Sequence, residues 1–344
     1  NITAKTSMTR NFHFGINKPN HPQAFHLSIM RQSVQDDVFY LTIVYLNLAE
    51  TLRQQGRLQE VIEICERRLK IAEESGFSES GLAGWLLGIW GEALAELNDL
   101  DQGLNRAQEG AKLAALGLDV WYEVMSNLYL VRVLFSDGQL SDAEEVIEST
   151  EKIAREHDIP LWASSSLSAW QARIWLAQGE LKRASRWAEE QQLDPDVEPE
   201  YQHDMAYSVF ARVLIAQGRL DEVEGLLPRL LEAAETGGRT SRVIELLILQ
   251  SLAAHSAGDN PRALFTLEQA LDLGQEEGFI RIFVDEGPPM ARLLYQALSH
   301  EISPEYTRLL LAAFPTPEPQ QVEASQMPDT DIAWVEPLSE RELE

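Results

Sequence analysis

The feature that most constrains this chain is a beat of about forty residues. "ARVLIAQGRLDEV", starting at Ala211, recurs as "AETLRQQGRLQEV" from Ala49, "VRVLFSDGQLSDA" from Val131 and "ARIWLAQGELKRA" from Ala172. Looser copies are "GEALAELNDLDQG" from Gly91 and "SLAAHSAGDNPRA" from Ser251. Each copy pivots on one turn residue: Gly56, Asn98, Gly138, Gly179, Gly218 or Gly258. A period this regular over six copies predicts stacked supersecondary units, none of which can bury its apolar face alone. Each copy reads as helix, tight turn, helix. Glycine suits the left-handed residue that closes a helix, and asparagine is its common substitute.

The flanking pattern agrees. Two residues after the turn stand Leu58, Leu100, Leu140, Leu181 and Leu220, with Asn260 the exception. Five after it come Val61, Gly103, Ala143, Ala184, Val223 and Ala263, mostly small, so the second helix can approach the first closely. Leu220, Val223, Leu226, Leu227, Leu230 and Leu231 make an apolar stripe at helical spacing, as do Tyr45, Leu48, Ala49 and Leu52 in a first helix. No segment sustains strand-like alternation. The expected fold is an all-α, right-handed superhelical solenoid of about six helix-turn-helix pairs.

The flanks set the expected boundaries. Residues 1–37 contain Asn, Pro and Gly without a usable period and read as a loop or disordered leader. The repeat domain spans residues 38–314. Its last part, 279–314, opens with "FIRIFVDEGPP" and is expected to cap the open apolar face of the final pair. Residues 315–336 read as a linker. In the closing segment 337–344, "PLSERELE", Ser339 and Glu342 form a capping box, the signature of a helix start with almost no helix after it.

Composition narrows the function. The formal charge is −27, and the first 37 residues hold four basic and two acidic side chains, so the rest carries −29. Such a body repels phosphate backbones. The only cysteine is Cys65, which allows no intrachain disulfide or thiolate cage and fits a reducing cytoplasm. It falls on an amphipathic second helix and reads as a buried structural thiol. The seven histidines form no metal-binding spacing, no G-x-S-x-G or phosphate loop occurs, and the chain is not expected to be an enzyme or to bind a metal. Acidic pairs such as Asp36–Asp37 and Glu144–Glu145 read as solvated helix faces.

Register supplies the candidate site. Six residues before each turn lie Glu50, Glu92, Arg132, Arg173, Arg212 and Leu252. The three arginines would form a ladder on the inner face of the array, suited to a carboxylate, a phosphate, sugar hydroxyls or an acidic peptide. Trp85, Met125, Phe135 and Ser208 fall at nearby inward positions and, with Glu92, complete the candidate ligand-binding set. Against this, the arginines could pair with neighbouring glutamates, and the aromatic residues at helical spacing could be core. On the ligand reading, each Arg→Ala change weakens recognition and barely touches stability.

The repeats resemble lengthened tetratricopeptide units. More specifically, "RVIELLILQSLAAHSAGDNPRALFTLEQAL", "EEGFIRIFVDEGPPMARLL" and the closing "PLSERELE" resemble the large ATP-dependent LuxR-type, MalT-like transcription activators. The resemblance covers roughly residues 38–314 and 337–344. It implies a cytoplasmic bacterial regulator whose repeat domain receives an inducer or regulatory protein on its concave face and relays it to self-association. ATP would enter only through a nucleotide-binding module absent here, and DNA only through a helix-turn-helix of which 337–344 is the start. The alternative is a plain tetratricopeptide scaffold that binds peptides. Neither reading places the chain at a membrane.

Overall fold

The computed structural model describes residues 22–315, apart from Leu118 and residues 197–199, with side chains from Val38 onward. The expected linker and helix start at 316–344 lie outside the described residues, as do residues 1–21. Twelve helices make six pairs: α1 (Pro22–Gln54) with α2 (Leu58–Glu74), α3 (Gly81–Glu96) with α4 (Leu100–Leu116), and α5 (Val120–Ser136) with α6 (Leu140–Glu156). The series continues with α7 (Leu161–Ala177) and α8 (Leu181–Glu190), α9 (Asp204–Gln217) and α10 (Leu220–Thr236), and α11 (Thr240–Ser256) and α12 (Asn260–Glu277). Three short helices follow: α13 (Arg281–Val284), α14 (Pro288–Ser299) and α15 (Pro304–Ala312). Among the described residues there is no strand. The chain is an all-α helical-repeat solenoid.

Chemistry at the turns explains their uniformity. Gly56, Asn98, Gly138, Gly179, Gly218 and Gly258 all have positive φ, between 68° and 81°. Beyond each, the next N–H reaches back to a carbonyl five residues earlier, as from Arg57 to Leu52 (2.9 Å), Gln139 to Leu134 (2.9 Å) and Arg219 to Leu214 (3.0 Å). This closes the first helix by satisfying carbonyls that would otherwise be orphaned. The small residues five after the turn are buried in all six pairs.

One pair is packed more tightly than the rest. A Cβ placed on Gly91 of α3 would sit 2.6 Å from the Gly103 carbonyl oxygen of α4, and one on Gly84 would sit 2.6 Å from the Gly110 oxygen. The two backbones are therefore in contact along both glycine pairs, and the obstacle is main chain, which cannot rotate away.

Two sequence expectations need correction. The backbone is helical from Pro22, so residues 22–37 are not a loop leader. Pro22 suits the first position of a helix, and no Gly or Pro follows until Gly56. Within the stripe expected on α1, Ala49 and Leu52 are buried but Leu48 is exposed, because that part of the helix has no neighbour.

After α12 the chain turns back. Phe279 and Phe283 are buried, Tyr306 of α15 donates its hydroxyl hydrogen to the Phe279 carbonyl, and α14 packs on α11 and α12. The Ile280 N–H reaches the Glu96 carbonyl of α3 at 2.9 Å, across 184 positions of sequence. The array also meets its own start: Ser241 of α11 donates to the Arg53 carbonyl of α1 at 2.6 Å, and α11 packs on α1. Six pairs thus complete a turn around a common interior.

Gly91→Ala should lower unfolding free energy by about 1–3 kcal/mol, the cost of forcing atoms into a packed contact. Gly225→Ala, on the exposed side of α10 where an added Cβ meets nothing within 4 Å, should raise it by about 0.5–1 kcal/mol through helix propensity. Urea unfolding of the two variants checks both signs.

Candidate functional site

The interior is a cavity of about 260 Å³. The inner ridges of α3, α5, α7, α9 and α11 form its walls, because the residues six before each turn share one helical face. Arg132, Arg173, Arg212, Glu92 and Met125 line it. Trp85, Phe135 and Ser208 do not. Trp85 packs against Trp121 with ring centroids 6.0 Å apart, Phe135 lies against Trp170 at 5.5 Å, and Ser208 is buried under Arg212.

The arginine ladder is not open to solvent. Arg132 donates to Glu96 at 2.8 Å and to Asp285 at 2.6 Å. Arg173 donates to Glu286 at 2.8 Å, and Arg212 reaches Glu286 at 2.6 Å and Glu245 at 2.8 Å. Asp285 and Glu286 come from the tip between α13 and α14. That tip turns at Gly287 (φ 71°) and enters the interior, where it meets arginines from three successive pairs. Ser136 donates to Asp285 at 2.7 Å, and Arg281 pairs with it at 2.6 Å. The expectation that Arg→Ala leaves stability untouched is thereby reversed. Side-chain exposure of Arg212 and Glu286 is only 7% each, so removing one partner strands a buried charge.

Sequence reasoning missed much of the lining. Arg53 pairs with Glu50 at 3.0 Å and with Glu92 at 3.4 Å. Asp204 accepts from Arg242 at 2.8 Å and forms an ion pair with Arg239 at the same distance. Trp162, Trp170, Tyr129 and Tyr201 supply aromatic faces. Arg53, Asp204, Arg239, Arg242 and these rings sit at other register positions than Glu50 and Glu92, so a search along one repeated position could not find them. The "VDEGPP" acids were visible, but which cations they meet depends on how far the array curves.

Six arginines and six carboxylates line the cavity, so its charge is balanced. Burial works against the Glu286 and Glu245 carboxylates, but the surrounding arginines outweigh it and hold both below the usual range. Glu96 goes the other way. Burial, with Asp285 and Glu92 nearby, pushes it up to about 7 despite Arg132 and the Ile282 N–H. Arg173 is lowered by burial and by Arg212. Such a site can hold a polar guest through charged hydrogen bonds and ring stacking. Ser166 and Ser241 line it, and no histidine does. Cys65 is buried elsewhere, and burial raises its thiol pKa. Among the described residues no cluster of three metal-ligating side chains occurs, and no helix is long and apolar enough to cross a membrane.

Two predictions follow from the charges. Arg212→Ala should cost about 3–5 kcal/mol of stability, as for breaking a buried pair, measured by chemical denaturation. Glu96 has a folded pKa above its unfolded value of about 4.3, so its ionisation opposes folding. Its contribution is therefore lost as pH rises from about 4.3 through about 7. Glu96→Gln keeps an acceptor for the Ile282 N–H and should remove that loss. Relative to the variant, the parent should lose about 3–4 kcal/mol across this window, read from urea unfolding at a series of pH values.

Comparison with known proteins agrees with this architecture. The sequence profile described as the MalT-like TPR region matches residues 2–300. The HTH-type transcriptional regulator MalT of Yersinia pestis (strain Pestoides F) is 26% identical over 286 residues, covering 81% of this chain and 31% of its own length. MalT of Vibrio cholerae serotype O1 is 25% identical over 275 residues, covering 78% of this chain and 30% of its own. This chain thus spans about a third of the relatives it matches, and within that span it belongs to the MalT-like TPR family.

Proposed function

We propose that this chain is the signal-receiving repeat domain of a bacterial, cytoplasmic transcription regulator, and that a small-molecule inducer enters the central cavity. The carrying observation is the cavity itself. It is bordered by all six repeats and lined by balanced charges and aromatic faces, and it touches both ends of the array through Arg53 and the Asp285–Glu286 tip. A guest that exchanges even one of these ion pairs changes how the cap is held. This gives occupancy a route to the rest of the polypeptide. Relay to self-association, ATP use and DNA binding then belongs to regions outside this chain, consistent with relatives named as HTH-type regulators. The body's net charge disfavours direct DNA contact.

The scaffold alternative, an extended peptide along the concave face, is less well supported. The acidic tip already occupies the arginines that such a peptide would need, and α1 meets α11 across the opening. A regulatory protein touching the outside of the array is compatible with the main reading.

A screen of candidate inducers by melting shift tests the proposal, since a ligand that binds only the folded state raises the melting temperature. At a hundredfold excess over Kd the gain is about 2.7 kcal/mol. Ser166→Trp places a large ring on the cavity wall and should abolish the shift. A full shift retained in a folded Ser166→Trp variant puts the site elsewhere.

A further inference from the structure

We propose that the outward face of α1 is an interface for another helix pair, supplied by the polypeptide N-terminal to α1 and seated as each pair seats on the one after it. The inference comes from register. In α3, a Cβ on Gly81 or Gly88 would meet Tyr122 or Tyr129 of α5 at 2.8 and 3.0 Å, so those positions face the following pair. Gly84 and Gly91 face α4, the partner within the pair. At 100° per residue, the position twelve before the turn points away from both, toward the preceding pair. In the last five first-helices that position is Leu86, Ser126, Leu167, Ala206 or Leu246, and none is more than 2% exposed. In α1 it is Val44, which is 60% exposed.

Val44 is not an isolated exception. Tyr40, Leu41 and Leu48 are exposed around it, one and two turns apart on the same side of the helix. The end of a solenoid is normally polar. This face instead keeps the apolar character of an internal joint, and an exposed apolar stripe of this kind marks a contact surface. The backbone of α1 points to the same occupant. It is 33 residues long, whereas the other first helices have 14 to 17. Its extra turns project about 24 Å past where the other first helices begin, at 1.5 Å per residue. Relatives of which this chain spans about 31% hold further polypeptide outside the matched region. This inference does not depend on what the cavity binds.

Thiol labelling provides the test, because the native Cys65 is fully buried. Val44→Cys reports on the face, and Glu66→Cys, at a position ten after the turn that is exposed in all six pairs, is the control. In this chain alone both should react with a maleimide at similar rates. In the complete gene product, Val44→Cys should slow at least tenfold while Glu66→Cys is unchanged. Equal reactivity of the two in the complete product overturns the proposal. So does protection of Val44→Cys in the isolated chain that vanishes on dilution alongside a sedimenting dimer, since the occupant is then a second copy.

Discussion

The interaction on which the interior depends is the set of ion pairs between the Asp285–Glu286 tip and the arginines of three successive repeats. Three guanidinium groups on one inner ridge repel one another, and each loses hydration as the array curls around them. Arg173, held below its usual pKa by burial and by Arg212, is where that cost falls. The tip brings two carboxylates to the place where the cations converge. With those carboxylates in place, the first and last pairs can meet and the cap can seal the apolar face of α12. Without them, the same curvature would bury uncompensated charge, a penalty of several kcal/mol per ion.

This arrangement links site and scaffold. In an ordinary binding pocket the lining can change without disturbing the core. Here the lining side chains also fasten the array, Ser241 holding the Arg53 carbonyl of the first pair and Asp285 and Glu286 holding the arginines of three successive inner ridges. Glu96 is the counterpart: burial holds it toward its neutral form while Glu245 and Glu286 are held ionised. Any guest that forms charged hydrogen bonds in the cavity competes with contacts that hold the cap. Ligand sensing, in the reading proposed above, is a property of that competition rather than of a separate hinge.

Much of the fold was legible in the sequence because its determinants are local. The forty-residue beat, the left-handed residue at each turn and the small residues five later act over distances of one helical turn. Glycine or asparagine at those positions is enough to specify them. The helical start at Pro22 was missed because the leader was judged by its prolines, although these lie at or before the first helical position.

What the sequence determined by itself, then, was the repeat unit, the number of pairs and the inward register of the arginines. What only the tertiary structure decided was the partners of those arginines. Which side chains face one another across the interior depends on how small rotations between successive pairs accumulate, and their sum brings Glu96 of α3 beside Ile282, 186 residues away. No local pattern encodes that sum. It follows from the packed shapes of all the interfaces together, so the ladder, which the sequence left open between a ligand face and pairing with glutamates, became the socket for the chain's own acidic tip.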